Sequence, residues 1–147
     1  TNWKSANEIP YQIKSLRALK NTRGSAYFSS TSFKNNPNHW NDSLQNKYYN
    51  KPALQPTMPW LVQYEVAAPI VNKKLDNTYQ IEYISNKPVK QFAIISQTNN
   101  KYAVEATLPS NAKFVNLSAL GIEKQSKTQY WIVSIGLQNQ LSKMIAL

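Results

Sequence analysis

Gln129-Tyr-Trp-Ile-Val-Ser-Ile-Gly-Leu137 is the stretch that decides the fold. In an extended chain Trp131, Val133, Ile135 and Leu137 fall on one side, and Tyr130, Ile132 and Ser134 on the other. β-branched residues at its centre favour a pleated, buried surface over a helix. The pattern predicts a central strand, with Trp131 in the sandwich core.

Working outward, similar short runs recur between turn signals. Thr78 to Ile84, Val89 to Ser96, Lys101 to Leu108, Lys113 to Leu117 and Ser142 to Ala146 read as strands, with Tyr79 and Tyr83 alternating inside the first as core or edge residues. Asn86-Lys-Pro88, Asn99-Asn100, Pro109-Ser-Asn111 and Asn139 punctuate them. No helical period competes after Ile70. Six or seven short strands in about 80 residues imply an antiparallel β-sandwich of immunoglobulin or fibronectin-III kind.

The first 60 residues read differently. Ser5 with Glu8 three positions later has capping-box spacing, and Pro10 is tolerated only in a first helical turn. Ile9, Ile13, Leu16 and Leu19 then share one helical face, and Asn21 to Gly24 stops the helix. Ser25-Ala-Tyr-Phe-Ser-Ser30 reads as a short strand of the doubly buried, parallel kind. From Asn38 to Tyr49 a second amphipathic helix places Trp40, Leu44 and Tyr48 at i, i+4 and i+8. Helix, strand, helix is the rhythm of an α/β barrel or a doubly wound sheet. Residues 51–69 carry Pro52, Pro56, Pro59 and Pro69, a density that reads as a stiff connection. The domains are therefore expected at 1–66 and 67–147.

Composition narrows the classes. The 147 residues are 41% hydrophobic and 16% charged, a folding composition, with no cysteine for disulfides or thiolate metal sites. A complete (β/α)₈ barrel needs about 250 residues, so any barrel here is a fragment. No run of about 18 apolar residues could span a membrane. The net charge of +10 comes from 17 basic and 7 acidic residues. All but Arg17 and Arg23 of the basic residues are lysines, scattered among Asn and Gln. Nucleic-acid binding is thus not expected, since it concentrates basic residues on one face.

The stretch Trp3-Lys-Ser-Ala-Asn-Glu8-Ile-Pro-Tyr-Gln-Ile13, then Arg17, then Gly24-Ser-Ala-Tyr-Phe-Ser-Ser30, resembles the closing segment of the family 10-like glycosidases. These are secreted bacterial lipoproteins with a TIM-like barrel. Asn36-Pro37, Asn41-Asp-Ser-Leu44, Tyr48-Tyr49, Pro52-Ala-Leu54, Pro56 and Met58-Pro-Trp60 are similar to that family's last barrel helix and exit, and the second half is similar to the fibronectin-like domain that often follows. The resemblance implies a mainly β chain: a fibronectin-III-like sandwich preceded by a helix–strand–helix fragment of a (β/α)₈ barrel. It implies that Gly24 to Ser30 is the eighth barrel strand and that Trp3 to Asn7 follows the seventh. Loops at the C-terminal ends of barrel strands build the active site, so Trp3, Ser29, Ser30 and Phe33 would face a glycan substrate. It also implies an extracytoplasmic location, at the cell surface or in the periplasm.

No catalytic residue is assigned to this chain. Glycoside hydrolysis uses two carboxyls roughly 5–10 Å apart, and before the proline-rich segment only Glu8 and Asp42 are available, both at helix starts where they suit the helix dipole. The sole histidine, His39, has no ligand set around it, so no metal or cofactor is expected. Trp40 and Trp60 read as packing residues. The expected function is that of the C-terminal part of a secreted glycoside hydrolase-like protein acting on a polysaccharide or peptidoglycan-type glycan, itself non-catalytic. The alternative is a non-catalytic carbohydrate-binding or adhesion module. The unpaired edges of a barrel fragment would also allow homo-oligomers.

Overall fold

A computed structural model describes residues 5–22, 24–27, 30–61, 63–123 and 125–147. The chain divides into two compact units, Thr1–Asn50 and Lys51–Leu147.

Among the described residues of the second unit, seven strands form two antiparallel sheets: β1 (Ile70–Lys73), β2 (Thr78–Glu82), β3 (Val89–Thr98), β4 (Lys101–Pro109), β5 (Phe114–Asn116), β6 (Gln129–Gly136) and β7 (Ile145–Ala146). One sheet has the order β1-β2-β5 and the other β4-β3-β6-β7. Asn99 and Asn100, both left-handed, form the two-residue turn that joins β3 to β4 and pairs Thr98 with Lys101. Tyr79, Ile81 and Val115 from the first sheet meet Phe92, Ile94, Tyr130 and Ile132 from the second in one core, with Leu117 and Ile122. The chain is thus mainly β, a sandwich preceded by a short helical part. The strands expected between Thr78 and Ala146 form, the last shortened to Ile145–Ala146, and β1, Ile70-Val-Asn-Lys73, is a further strand to which the alternation pattern assigns nothing.

β3 and β6 are apolar on both faces. Ala93, Ile95, Val133 and Ile135 form a second buried cluster on the outer side of the four-stranded sheet, with Leu54, Val104 and Trp131 packed against it. Trp131 therefore lies outside the inter-sheet core, contrary to expectation, because the strand's parity sends it to the Val133 side. Leu54 belongs to the proline-rich segment, which falls within the second unit and is not a free linker. Prolines cannot donate to a ladder, and the segment is held by other bonds. Asn139 Nδ2 donates to the Pro56 carbonyl at 3.0 Å, and Met58 N–H to the Gln138 carbonyl at 3.1 Å. Tyr64 Oη donates to the Pro88 carbonyl at 2.7 Å and accepts from Leu137 N–H at 2.9 Å. A Cβ at Gly136 would lie 2.8 Å from Val66 Cγ2 and 2.5 Å from Gln140 Oε1, so glycine there lets the segment approach.

The first unit contains α1 (Glu8–Ala18), α2 (Thr31–Asn35), a 3₁₀ turn over Pro37–His39, and α3 (Trp40–Ser43), which widens into a π turn over Leu44–Tyr48. Ile9 and Ile13 meet Trp40 and Leu44, with Phe33 and Tyr48 alongside. The second helix starts later than its periodicity implies, because Asn36, Asn38 and His39 are left-handed and delay it to Trp40. The expected capping box does not form. Ser5 Oγ accepts Asn7 N–H at 3.2 Å, and the Glu8 carboxylate accepts from Gln12 Nε2 at 2.8 Å.

The strand expected at Ser25–Ser30 is not seen: Ser25, Ala26, Tyr27 and Ser30 lie in no strand, and Phe28 and Ser29 fall outside the described residues. Extended backbone needs a neighbour to pair with. Here Ser30 instead accepts the N–H groups of Phe33 and Lys34 at the start of α2. Among the described residues no helix is long and apolar enough to cross a membrane.

The bonding of the proline-rich segment makes Tyr64 a test position. Tyr64→Phe removes both hydrogen bonds of the hydroxyl, which lie near the surface, and leaves the Leu137 N–H to water. We expect a loss of about 1 kcal/mol, read as a lower urea midpoint of the sandwich with an unchanged m-value.

Candidate functional site

Of the four residues expected to face a substrate, Trp3 and Ser29 lie outside the described residues. Ser30 is exposed at the head of α2. Phe33 is half-buried: it packs against the Ile9–Trp40 cluster and meets the Tyr27 ring edge-on, with centroids 5.2 Å apart. Around it lies a larger aromatic group that periodicity alone does not reveal. The Arg17 guanidinium sits 5.5 Å from the centroids of both Tyr48 and Tyr49, and donates to the Tyr48 carbonyl at 2.9 Å. Such stacking fixes the cation while leaving ring surface open, and Tyr27 (37% exposed) and Tyr49 (49%) present that surface.

Both carboxylates of the helical unit contact neighbouring side chains. Glu8 is held by Gln12. Asp42 accepts from Asn36 Nδ2 at 2.9 Å and contacts His39 Nδ1 at 3.0 Å, with the His39 and Asp42 side chains both exposed. Among the described residues no three His, Cys, Asp or Glu side chains gather to hold a metal ion.

The sandwich carries a second candidate, a polar cleft of about 340 Å³. Its origin lies in the inward-facing parity of β3. Phe92 and Ile94 fill the core, whereas Ser96 and Thr98, next on the same side, are polar. The core therefore ends in hydroxyls. Across from them β4 bulges: Ile94 pairs with Ala106 and Ile95 with Val104, so Glu105 is the extra residue. A bulge re-aims its side chain, and the Glu105 carboxylate, 17% exposed, accepts from Ser96 Oγ and from Lys51 Nζ, the latter at 2.6 Å. Thr98 and Thr128 hydroxyls share a hydrogen bond of 2.7 Å, and Gly121 and Gln125 complete the mouth.

No family model matches the chain. Among curated proteins it is 36% identical over 96 residues to glycosyl hydrolase YngK of Bacillus subtilis (strain 168), a match taking in 62% of this chain and 19% of that protein. Among solved structures it is similar to the spore cortex lytic enzyme SleM of Clostridium perfringens, with 17% identity and a TM-score of 0.35, over 56% of this chain and 27% of that one. The chain is thus related in sequence to a glycosyl hydrolase and spans about a fifth of its length.

The aromatic group has a titration signature. Burial, and then a hydrogen bond and charge interaction with Tyr49, push the Tyr27 phenol from 10.0 up to about 12, against opposing effects of Ser25 and Arg17. A phenol is neutral when protonated, so the folded chain holds this proton more tightly than the unfolded one. The resulting stabilisation is present below pH 10 and is lost as the pH rises through about 12. Tyrosinate absorbance at 295 nm should show a late step near that pH, absent in Tyr27→Phe; titration of all tyrosines near 10 would contradict the packing described.

Proposed function

We propose that this chain is the C-terminal part of a secreted glycoside hydrolase-like protein that acts on a polysaccharide or peptidoglycan-type glycan, and that the chain itself is not catalytic. The observation that carries this reading is the 36% identity over 96 residues to a glycosyl hydrolase of which the chain spans 19%. The helical unit then represents the end of a TIM-like barrel, in which Trp3, Ser29, Ser30 and Phe33 line the substrate side, and the open ring faces of Tyr27 and Tyr49 extend that surface. Sugars present C–H faces that pack on such rings as other apolar groups do. The sandwich is a fibronectin-III-like accessory domain, and the pairing of β4 with β3 supports that assignment, since the immunoglobulin constant arrangement pairs its fourth strand with the fifth. Action on a wall or extracellular glycan puts the protein outside the cytoplasm, and the family resemblance adds a lipoprotein anchor.

Chemistry supports the non-catalytic assignment. Hydrolysis needs one carboxyl able to give a proton and another to attack or activate water across the same bond. Glu8 and Asp42 are occupied by neighbouring side chains, and Glu105 is paired with Lys51. Incubated with purified peptidoglycan or soluble polysaccharides, this chain should release no reducing ends above buffer, whereas the product of the full reading frame should release them. Turnover by the chain alone would overturn the assignment.

A further inference from the structure

We propose that the polar cleft of the sandwich binds a single sugar residue of the glycan, through Glu105, Ser96, Thr98, Thr128 and Gln125. This deepens the glycan reading above and rests on it.

The first ground is the cost of the arrangement. A bulge gives up one position of the β3–β4 ladder, and the residue placed there is a carboxylate pulled to 17% exposure. Burying a charge is unfavourable unless it is paired and hydrogen-bonded. If Glu105 served only to anchor Lys51, an exposed position on the same strand would do so without desolvation. The second ground is unused hydrogen-bonding capacity. Two threonine hydroxyls bring two donors and four acceptor sites, and the Thr98–Thr128 bond consumes one of each. Among the described residues, the donors reaching Glu105 both go to Oε1.

Charge and size select the ligand. Lys51 neutralises Glu105 locally; Glu123, exposed, also lines the cleft, and among the described residues no three His, Cys, Asp or Glu side chains gather there to hold an ion. Adjacent groups that both donate and accept match vicinal hydroxyls, which do the same. A volume of about 340 Å³ lies at the small end of ligand pockets, enough for one ring and too little for a chain. Leu120, 41% exposed at the rim, supplies an apolar edge for the ring's C–H face.

The test is calorimetric titration of this chain with oligosaccharides of glucose, oligosaccharides of N-acetylglucosamine, and muropeptides. Saturable binding to at least one is expected. Gln125→Ala and Thr98→Val should each weaken it about tenfold, the worth of one or two hydrogen bonds, with the unfolding midpoint kept within a few degrees. Gln125 is exposed, so its variant separates binding from folding. Glu105→Gln should abolish binding and also lower stability, because it breaks the Lys51 pair. No saturable binding to any of the three overturns the proposal. So does binding that survives Gln125→Ala and Thr98→Val but falls with Tyr49→Ala, which would move the site to the helical unit. Hydrolysis by the full reading frame is measured separately, so loss of this site leaves the enzyme reading standing.

Discussion

The constraint on which the sandwich depends is that its four-stranded sheet is apolar on both faces. β3 buries five consecutive residues, Phe92 to Ser96, and β6 buries Ile132 to Gly136 without a break. A two-sheet sandwich covers only one of these faces, and the other must be sealed by something that is not a strand of the same stack. The proline-rich segment meets that need. Leu54 packs on the Ala93–Ile135 cluster, and Val66 seats against Gly136. Proline suits the task twice: it cannot extend the sheet as a further strand, and it narrows the unfolded ensemble, so less entropy is lost on docking.

That seal explains why polar chemistry collects where it does. The side under the proline-rich segment buries an apolar cluster and is bordered by bonds to Pro56, Pro88, Leu137 and Gln138 and by Lys90 Nζ, which donates to Gln55 and to Asn139. The inter-sheet core is apolar but for Ser134, buried on the inward row of β6. On β3 the inward row turns to Ser96 and Thr98 as the strand nears its turn with β4, and there a bulge brings in a carboxylate. Lys51, the first residue of the unit, links the two regions: its ammonium closes on Glu105 while Leu54, three residues on, enters the outer cluster. The anchoring of the segment and the shape of the cleft are therefore one physical problem.

Much of this was legible in the sequence, and the failures are instructive. Period-two alternation marks β2 through β7 because each carries apolar residues that are buried in a core or packed against one. It missed β1, whose Ile70-Val-Asn-Lys73 is short, largely exposed and preceded by Pro69. Parity placed Trp131 with Val133 and Ile135 correctly, but parity does not say which face is the inter-sheet core when both faces are apolar. The Ser25–Ser30 segment is β-like in composition, yet a strand exists only through pairing, which composition does not encode. The Ser96 and Thr98 signal was present, two hydroxyls continuing an apolar row. The bulge at Glu105 was not, because register belongs to a pair of strands. Of the residues expected at a substrate face, Phe33 could be read as an aromatic near a glycan, but its packing on Tyr27 and the stacking of Arg17 between Tyr48 and Tyr49 come from tertiary contacts.

A hydroxyl-lined cleft of this kind sets the scale of recognition the sandwich can offer. Each hydrogen bond to a sugar replaces one to water, so its net worth is near 1 kcal/mol, and association must first overcome lost translational and rotational freedom. With a few such bonds and one apolar edge, a lone sugar is held weakly. Weak binding is sufficient for an accessory domain, because a polymer presents the same residue many times and a tethered partner makes the second encounter intramolecular. The sandwich then need not discriminate finely between glycans. Under the proposed function it needs only to keep an attached catalytic domain near its polymer, and a sandwich with a sealed outer face and a hydroxyl-lined cleft provides that with few specialised residues.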